Sequence, residues 1–339
     1  MQITQILAKL VAEALESAQA TGVLPASGEV DIKIERPKLA EHGDFSTSLP
    51  LTLARTMRVP PIQIAAAIVD AMPQGEMNGS VISVAPGFVN FKLSTHWLQL
   101  QVKIVRGLGE KFGTVDSGLG KSVQVEFVSV NPTGPLHVGH ARGAVIGSSL
   151  ANVLEAAGYE VQREYYVNDA GTQMRVFYDT LYSRVMQASG RDVPLPDPAY
   201  PGDYLKTLAT DLLNDLGEKL ESKEKSEVIT QLAPESLSRT IGGIRHTLER
   251  LGVFYDQWFH ESRLLSSGRF DQVMDFLKDS NLIVDRDGAQ WFAATKLGLD
   301  EDIVVIRSGD ADPTYFATDI AYHHEKFMER KFDRVINVW

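Results

Sequence analysis

Residues 131–142 read NPTGPLHVGHAR. Two imidazoles, His137 and His140, stand three apart with Gly139 between them, and Pro132, Gly134 and Pro135 lie just upstream. An imidazole N–H can donate to a phosphate oxygen, and a glycine-rich bend lets backbone come close to a ligand. The pattern points to charge stabilisation on a phosphate, with histidines as donors and not as nucleophiles. A zinc site on His-x-x-His would need further ligands, and the sequence has no cysteine and no HExxH helix to supply them. Histidines that merely cap or pack at a helix start are the plain alternative; the strand and the Gly/Pro bend before them weigh against it.

Before the bend comes VQVEFVSV (123–130), nearly continuous and apolar, as expected for a strand buried on both faces. A helix carrying Val138, Ala141, Val145, Leu150, Val153, Leu154 and Ala157 follows and stops at Gly158, and then YEVQREYYVND (159–169) reads as a second strand. Strand, helix, strand in this order predicts a right-handed, parallel βαβ unit, whose ligands bind beyond the C-terminal strand ends at helix N-termini. Glu126 lies inside the apolar run, where a lone charge is costly, so it asks for a partner. Asp319 falls on a helix over ATDIAYHHEKF (317–327), four residues after Tyr315 and so on the same face. Two carboxylates from two elements suit a planar guanidinium, which takes paired charge-assisted hydrogen bonds; ordinary surface charges are the alternative reading. Asn168 and Asp169 read better as turn and helix-cap residues than as pocket floor. Arg142 serves phosphate charge or solvent equally well.

Upstream, residues 2–20 carry one apolar helical stripe, VDIKIERP (30–37) alternates like a strand ended by Pro37, residues 48–58 and the PPIQIAAAIVDAM segment read as helices, and VISVAPGFVNFKLS reads as two strands. The expectation is a small α+β domain over 1–108, a glycine-rich linker over 109–121 and an α/β domain over 122–339. Residues 172–282 read as mostly helical, with a helical insertion over about 172–260 broken by RDVPLPDPAYPGD. LIVDRDGAQWFAAT predicts a hairpin turning at Asp287-Gly288, and DIVVIR and FDRVINVW read as strands. A buried-looking strand that stops at Trp339 has no helix after it, which leads to the expectation of a chain cut inside its catalytic domain.

Hydrophobic residues make up 44% and charged residues 23%, an ordinary globular composition. Without cysteine there are no disulfides, which fits a reducing compartment; the expectation is a cytoplasmic protein without membrane segments, acting as a monomer. A net charge of −11 disfavours non-specific nucleic-acid binding, leaving room only for a local basic face such as Lys33, Arg36, Lys38, Arg55 and Arg58.

The stretch EFVSVNPTGPLHVGH resembles the HIGH signature of class I aminoacyl-tRNA synthetases in its arginyl form. EHGDFSTSLPLTLAR and APGFVNFKL resemble the additional N-terminal domain of the same enzymes, and YYVNDAGTQM, GAQWF and PTYFATDIAYHHEKF their later blocks, so the resemblance covers essentially the whole chain. It implies a Rossmann-like catalytic domain that activates L-arginine with ATP and Mg2+ and transfers it to tRNA(Arg), the N-terminal domain gripping the tRNA around its D-loop. His137, Gly139 and His140 would contact ATP, with the two histidines catalytic. Glu126, Ser129, Asn131, His140, Tyr315 and Asp319 would form the arginine pocket, and no protein metal site is implied. The KMSKS-like loop and the anticodon-binding domain have no counterpart in these residues, so little or no activity is expected of the chain alone. The segment Arg307–Pro313 reads as longer than its counterpart in the family. A different HxGH nucleotidyltransferase and a non-catalytic RNA-binding module are the competing functions.

Overall fold

A computed structural model describes residues 3–220, 223–307 and 313–339, which divide into two compact units between Phe112 and Gly113. In the first unit, helix α1 (Ile3–Ala20) buries Leu7, Val11, Ala14, Leu15 and Ala18, the spacing of one apolar stripe. Strand β1 (Phe45–Thr47), helices α2 (Leu49–Met57) and α3 (Pro61–Asp70), and strands β2 (Asn78–Val84) and β3 (Phe88–Leu93) complete its core, with the sheet antiparallel in the order β1-β3-β2. The strand expected over 30–37 forms only one bridge, Glu35 with Ser46. Its apolar residues Val30, Ile32 and Ile34 still pack on the core, but β1 is three residues long and Pro37 brings no donor, so no ladder grows. Helix α4 (Thr95–Leu108), which the sequence reading passed over, starts at Ser94, whose Oγ accepts from the Trp97 backbone N–H at 3.0 Å.

The second unit holds strand β4 (Ser122–Phe127), helix α5 (Val138–Ala156), strand β5 (Glu160–Val167), helices α6 (Gly171–Ala188), α7 (Tyr204–Leu216) and α8 (Lys225–Arg250), and strand β6 (Gln257–His260). Helices α9 (Glu261–Ser266) and α10 (Arg269–Asp279) follow, then an antiparallel sheet of β7 (Ile283–Arg286), β8 (Ala289–Phe292) and β9 (Ile303–Ile306). The chain closes with helix α11 (Tyr315–His324), a π-helical turn over Glu325–Glu329, and strand β10 (Arg334–Val338). The main sheet is parallel throughout, in the order β10-β4-β5-β6. The chain adds strands outward from β4 to β6, then returns to the other side of β4, so the order reverses between β4 and β10. That reversal is where open α/β sheets bind ligands. The β7–β8 hairpin turns on Asp287 and Gly288, both at positive φ (53° and 75°), the geometry an Asp-Gly turn favours. Strand β6 interrupts the stretch expected to be helical; four residues are too few to show a period.

The two faces of the main sheet differ. Val123, Val125, Phe127, Tyr165 and Val167 point to the apolar side, packed on α5 and on Ile244 and Leu248 of α8. A Cβ on Gly147 of α5 would lie 2.2 Å from Phe127 Cγ, so only glycine lets the helix sit this close to β4. Gly147→Ala is expected to cost about 1–3 kcal/mol, measured as a lower urea midpoint at unchanged slope. The opposite side carries Gln124 and Glu126 from β4, level with Gln162 and Glu164 of β5. All four belong to the face covered by α11 and the π turn, through Tyr322, Lys326 and Arg330.

Candidate active site

Strand β4 ends at Phe127, and the next two residues take left-handed backbone, Val128 at φ 71° and Ser129 at φ 42°. Left-handed backbone is unfavourable for a β-branched residue, so this bend is held by its surroundings. The Ser129 hydroxyl accepts from the Tyr166 backbone N–H at 3.1 Å, tying the end of β4 to β5. Tyr204 of α7 donates its hydroxyl to the Thr133 carbonyl at 2.5 Å, and its ring lies where a Gly134 side chain would go. Asn131 donates to Gln173 on α6 and also bonds Tyr315.

Both histidines act at the N-terminus of α5. His137 Nδ1 accepts from the Gly139 N–H at 3.1 Å, and His140 Nδ1 accepts from the His137 N–H at 3.3 Å. An accepting nitrogen carries no proton, so each neutral ring keeps Nε2–H as its free donor. The rings stack at 3.5 Å between centroids, and a Cβ on Gly139 would meet the His137 ring at 2.9 Å. Partial burial, and then the charge of His137, hold His140 below its ordinary value. A histidine depressed in this way stabilises the fold fully above pH ~6.5 and loses that contribution as pH falls through the lowered value. His137→Asn keeps a capping acceptor and removes the neighbouring charge, so the His140 titration, followed by NMR, is expected to move upward. Arg142 is exposed on α5.

A cavity of about 310 Å3 opens beyond the ends of β5 and β6, lined by Gly171, Gln173, Glu261, Arg307, Thr314 and Tyr315 among others. Of the sequence-named pocket residues, only Tyr315 lines it. Asn131 reaches its wall through Gln173 and Tyr315; Glu126, Ser129, His140 and Asp319 lie outside it. The segment singled out at 307–313 falls largely outside the described residues.

The carboxylates form a coupled row. Glu261, 4% exposed, leaves Oε2 without a hydrogen-bond partner. Burial raises its carboxyl above the ordinary range against the nearby hydroxyls of Thr318 and Tyr166, and Asp169 and Asp319 push it the same way. Asp319 is raised first by burial; Glu126 adds to this, while His323 and Lys326 oppose it. Glu126 has an internal partner, since Lys326 Nζ donates to its Oε2 at 2.6 Å. Asp169 also differs from the expected local cap. Its oxygens accept from the Ser262 N–H (2.8 Å) and hydroxyl (2.9 Å) and contact His260 Nδ1 (2.7 Å), so it caps α9 and not the helix directly after it.

Residues 104–339 match the family model described as the tRNA synthetases class I (R) catalytic domain, and residues 5–93 match the arginyl tRNA synthetase N terminal domain. The chain belongs to the class I arginyl-type tRNA synthetase family. It is 42% identical along its whole length to an arginine–tRNA ligase of Dehalococcoides mccartyi strain CBDB1, covering 61% of that protein. Over 99% of its length it is 41% identical to the arginine–tRNA ligase of Heliobacterium modesticaldum, covering 60% of it. The Thermus thermophilus arginyl-tRNA synthetase structure superposes with a TM-score of 0.58 at 26% identity, over 96% of this chain and 53% of that one. The chain thus spans about three fifths of the curated relatives it matches.

In this synthetase chain, sequence reasoning passed over Glu261, Gln173, Glu164 and Lys326. Glu261 begins a six-residue helix after a short strand, with no pattern to flag it. Glu164 could have been found: VQVE and VQRE place Gln-x-Glu at matching points of two neighbouring strands. The first unit holds a separate cavity of about 370 Å3, lined by Arg36, Lys38, His42, Phe88 and Asn90 among others. Among the described residues no helix is long and apolar enough to cross a membrane.

Proposed function

We propose that this chain carries the amino-acid-activating part of an arginine–tRNA ligase. The observation that carries the reading is Glu261, a buried carboxylate without a full set of partners, lining a cavity on the same sheet edge as the paired histidines. Such a group favours a cationic ligand, which restores the interactions lost on burial. The arginine side chain would lie towards Glu261, Asp319 and Glu126, with Tyr315 on the cavity wall. Its carboxylate oxygen attacks the α-phosphate of ATP, the bond to the β-phosphate's bridging oxygen breaks, and pyrophosphate leaves. The Nε2–H groups of His137 and His140, with the positive N-terminal end of α5, would stabilise the charge on the phosphates. Mg2+ would arrive with the triphosphate; among the described residues no cluster of three or more His, Asp or Glu is arranged to hold a metal. The adenylate would then be esterified to the terminal ribose of tRNA(Arg).

The N-terminal cavity supports the tRNA partner. Phe88 offers a stacking face, Asn90 an amide, and Arg36 and Lys38 positive charge, which is what a splayed base and its phosphates need. Phe88→Ala is expected to weaken tRNA(Arg) binding in a filter assay by about 1–3 kcal/mol. The activation reading is tested by thermal shift with a non-hydrolysable arginyl-adenylate mimic beside its citrullyl counterpart, which keeps the shape and drops the charge. A rise in Tm with the arginyl form alone is expected, since a ligand that binds only the folded state stabilises it. Equal shifts with both compounds would remove the acidic pocket from the reading and favour a nucleotidyltransferase for another acid.

A further inference from the structure

Glu126 and Glu164 stand level on adjacent strands, and each meets one cation from the π turn and its end, Lys326 and Arg330, four residues apart. The two pairings differ. Arg330 grips both oxygens of Glu164. Lys326 takes only Oε2 of Glu126, whose side chain keeps a tenth of its surface in solvent. The Lys326 ammonium is itself fully buried and spent: besides Glu126 it reaches Asn337 Oδ1 at 3.3 Å and lies 3.9 Å from the centroid of the Tyr322 ring. Asp319, about two helical turns before Lys326, feels Glu126 and Lys326 with opposite sign. The acidic row therefore ends in a fixed internal ammonium and a carboxylate that the ammonium holds by one oxygen, Oε2.

We propose that Lys326 sets the amino-acid specificity of this site: by holding Oε2 of Glu126 it leaves Oε1 to be shared with Asp319 by a guanidinium, and it repels a second ammonium. The inference rests on the arginine reading above. A guanidinium spreads its charge over a planar fork that can reach two separate oxygens, whereas a lysine ammonium is a compact, strongly hydrated point charge. Two such ammoniums on one carboxylate repel strongly where water is excluded. Lys326 thus acts as a positioning residue through Glu126, and as a charge that the wrong substrate meets.

Calorimetric titration of the chain with L-arginine and L-lysine tests this. Lys326→Met is expected to narrow the arginine-to-lysine affinity ratio by at least about tenfold, because Glu126 is then free to accept an ammonium. A merely structural lysine would lower both affinities alike and leave the ratio in place, and that result overturns the proposal. Should Lys326→Met fail to fold, two other variants decide. Glu126→Gln leaves the ammonium uncompensated beside the site, so Glu126→Gln with Lys326→Met is expected to bind arginine at least about tenfold better than Glu126→Gln alone. No recovery in the double variant means the Lys326 charge does not reach the ligand, and the proposal fails. An unresponsive wild-type protein overturns the arginine reading and this inference with it; a responsive one with an unchanged ratio overturns this inference only.

Discussion

Arg330→Met is expected to lower the unfolding free energy by about 3 kcal/mol, towards the lower end of the 3–5 kcal/mol typical when one partner of a buried ion pair is removed. Glu164 is completely buried, and Arg330 is the cation in direct ion-pair contact with it, while Lys326 acts on it from farther off. Gln124 (2.5 Å) and the Tyr322 hydroxyl also donate to it, but neither brings charge. Without Arg330 the carboxylate must stay ionised without a contacting counter-ion, become protonated, or draw in water. A fifth of the Arg330 side chain is in solvent, which softens the loss. The measurement is a urea midpoint at constant slope. Glu164→Gln combined with Arg330→Met is expected to recover most of the loss, because the double variant leaves no unpaired charge at this position. A loss below about 1 kcal/mol would place the pair with screened surface ion pairs and sink this account.

That network shows where sequence reading stops. That β4 is a buried strand was legible from its apolar run, but the run reads as apolar on both faces, whereas only Val123, Val125 and Phe127 face the apolar side and Gln124 and Glu126 meet a polar network on the other. The hairpin at Asp287-Gly288 was legible because its turn chemistry is local. Glu126 was readable as a charge in need of a partner, since the cost of burial follows from its neighbours alone. Its partner was not readable, since Lys326 lies 200 residues away and on a helix face that only the fold brings over β4. Strand 30–37 failed for a related reason. Alternation showed which side chains turn inward, and they do, but a ladder needs an available edge, which sequence pattern does not report. The bend at 131–140 was legible as a bend and as a helix start. That each imidazole uses Nδ1 for the backbone and keeps Nε2–H free follows only from the geometry.

Asp319→Asn is expected to weaken L-arginine binding by about 30-fold or more while changing ATP affinity by less than about threefold. Removing one charge from a desolvated pairing typically costs at least ~2 kcal/mol, and that converts to roughly this ratio. The asymmetry follows from placement, since Asp319 belongs to the acidic row on α11 and ATP is assigned to the histidines on α5. A pH signature accompanies it. Burial raises Asp319 and Glu261 above ordinary carboxylates, so in the acid range above those ordinary values part of the unliganded protein carries extra protons. An acid raised by folding destabilises the fold as pH rises past its unfolded value, and acidification relieves that penalty while it removes the negative charge that arginine needs. Arginine affinity is therefore expected to fall as pH drops through this window, with protons released on binding, visible as a dependence of calorimetric heat on buffer ionisation enthalpy. In Asp319→Asn both the slope and the proton release should shrink. Equal losses of arginine and ATP affinity, or a pH dependence that the variant leaves intact, would take Asp319 out of the arginine site and leave Glu261 and Glu126 as the candidate carboxylates.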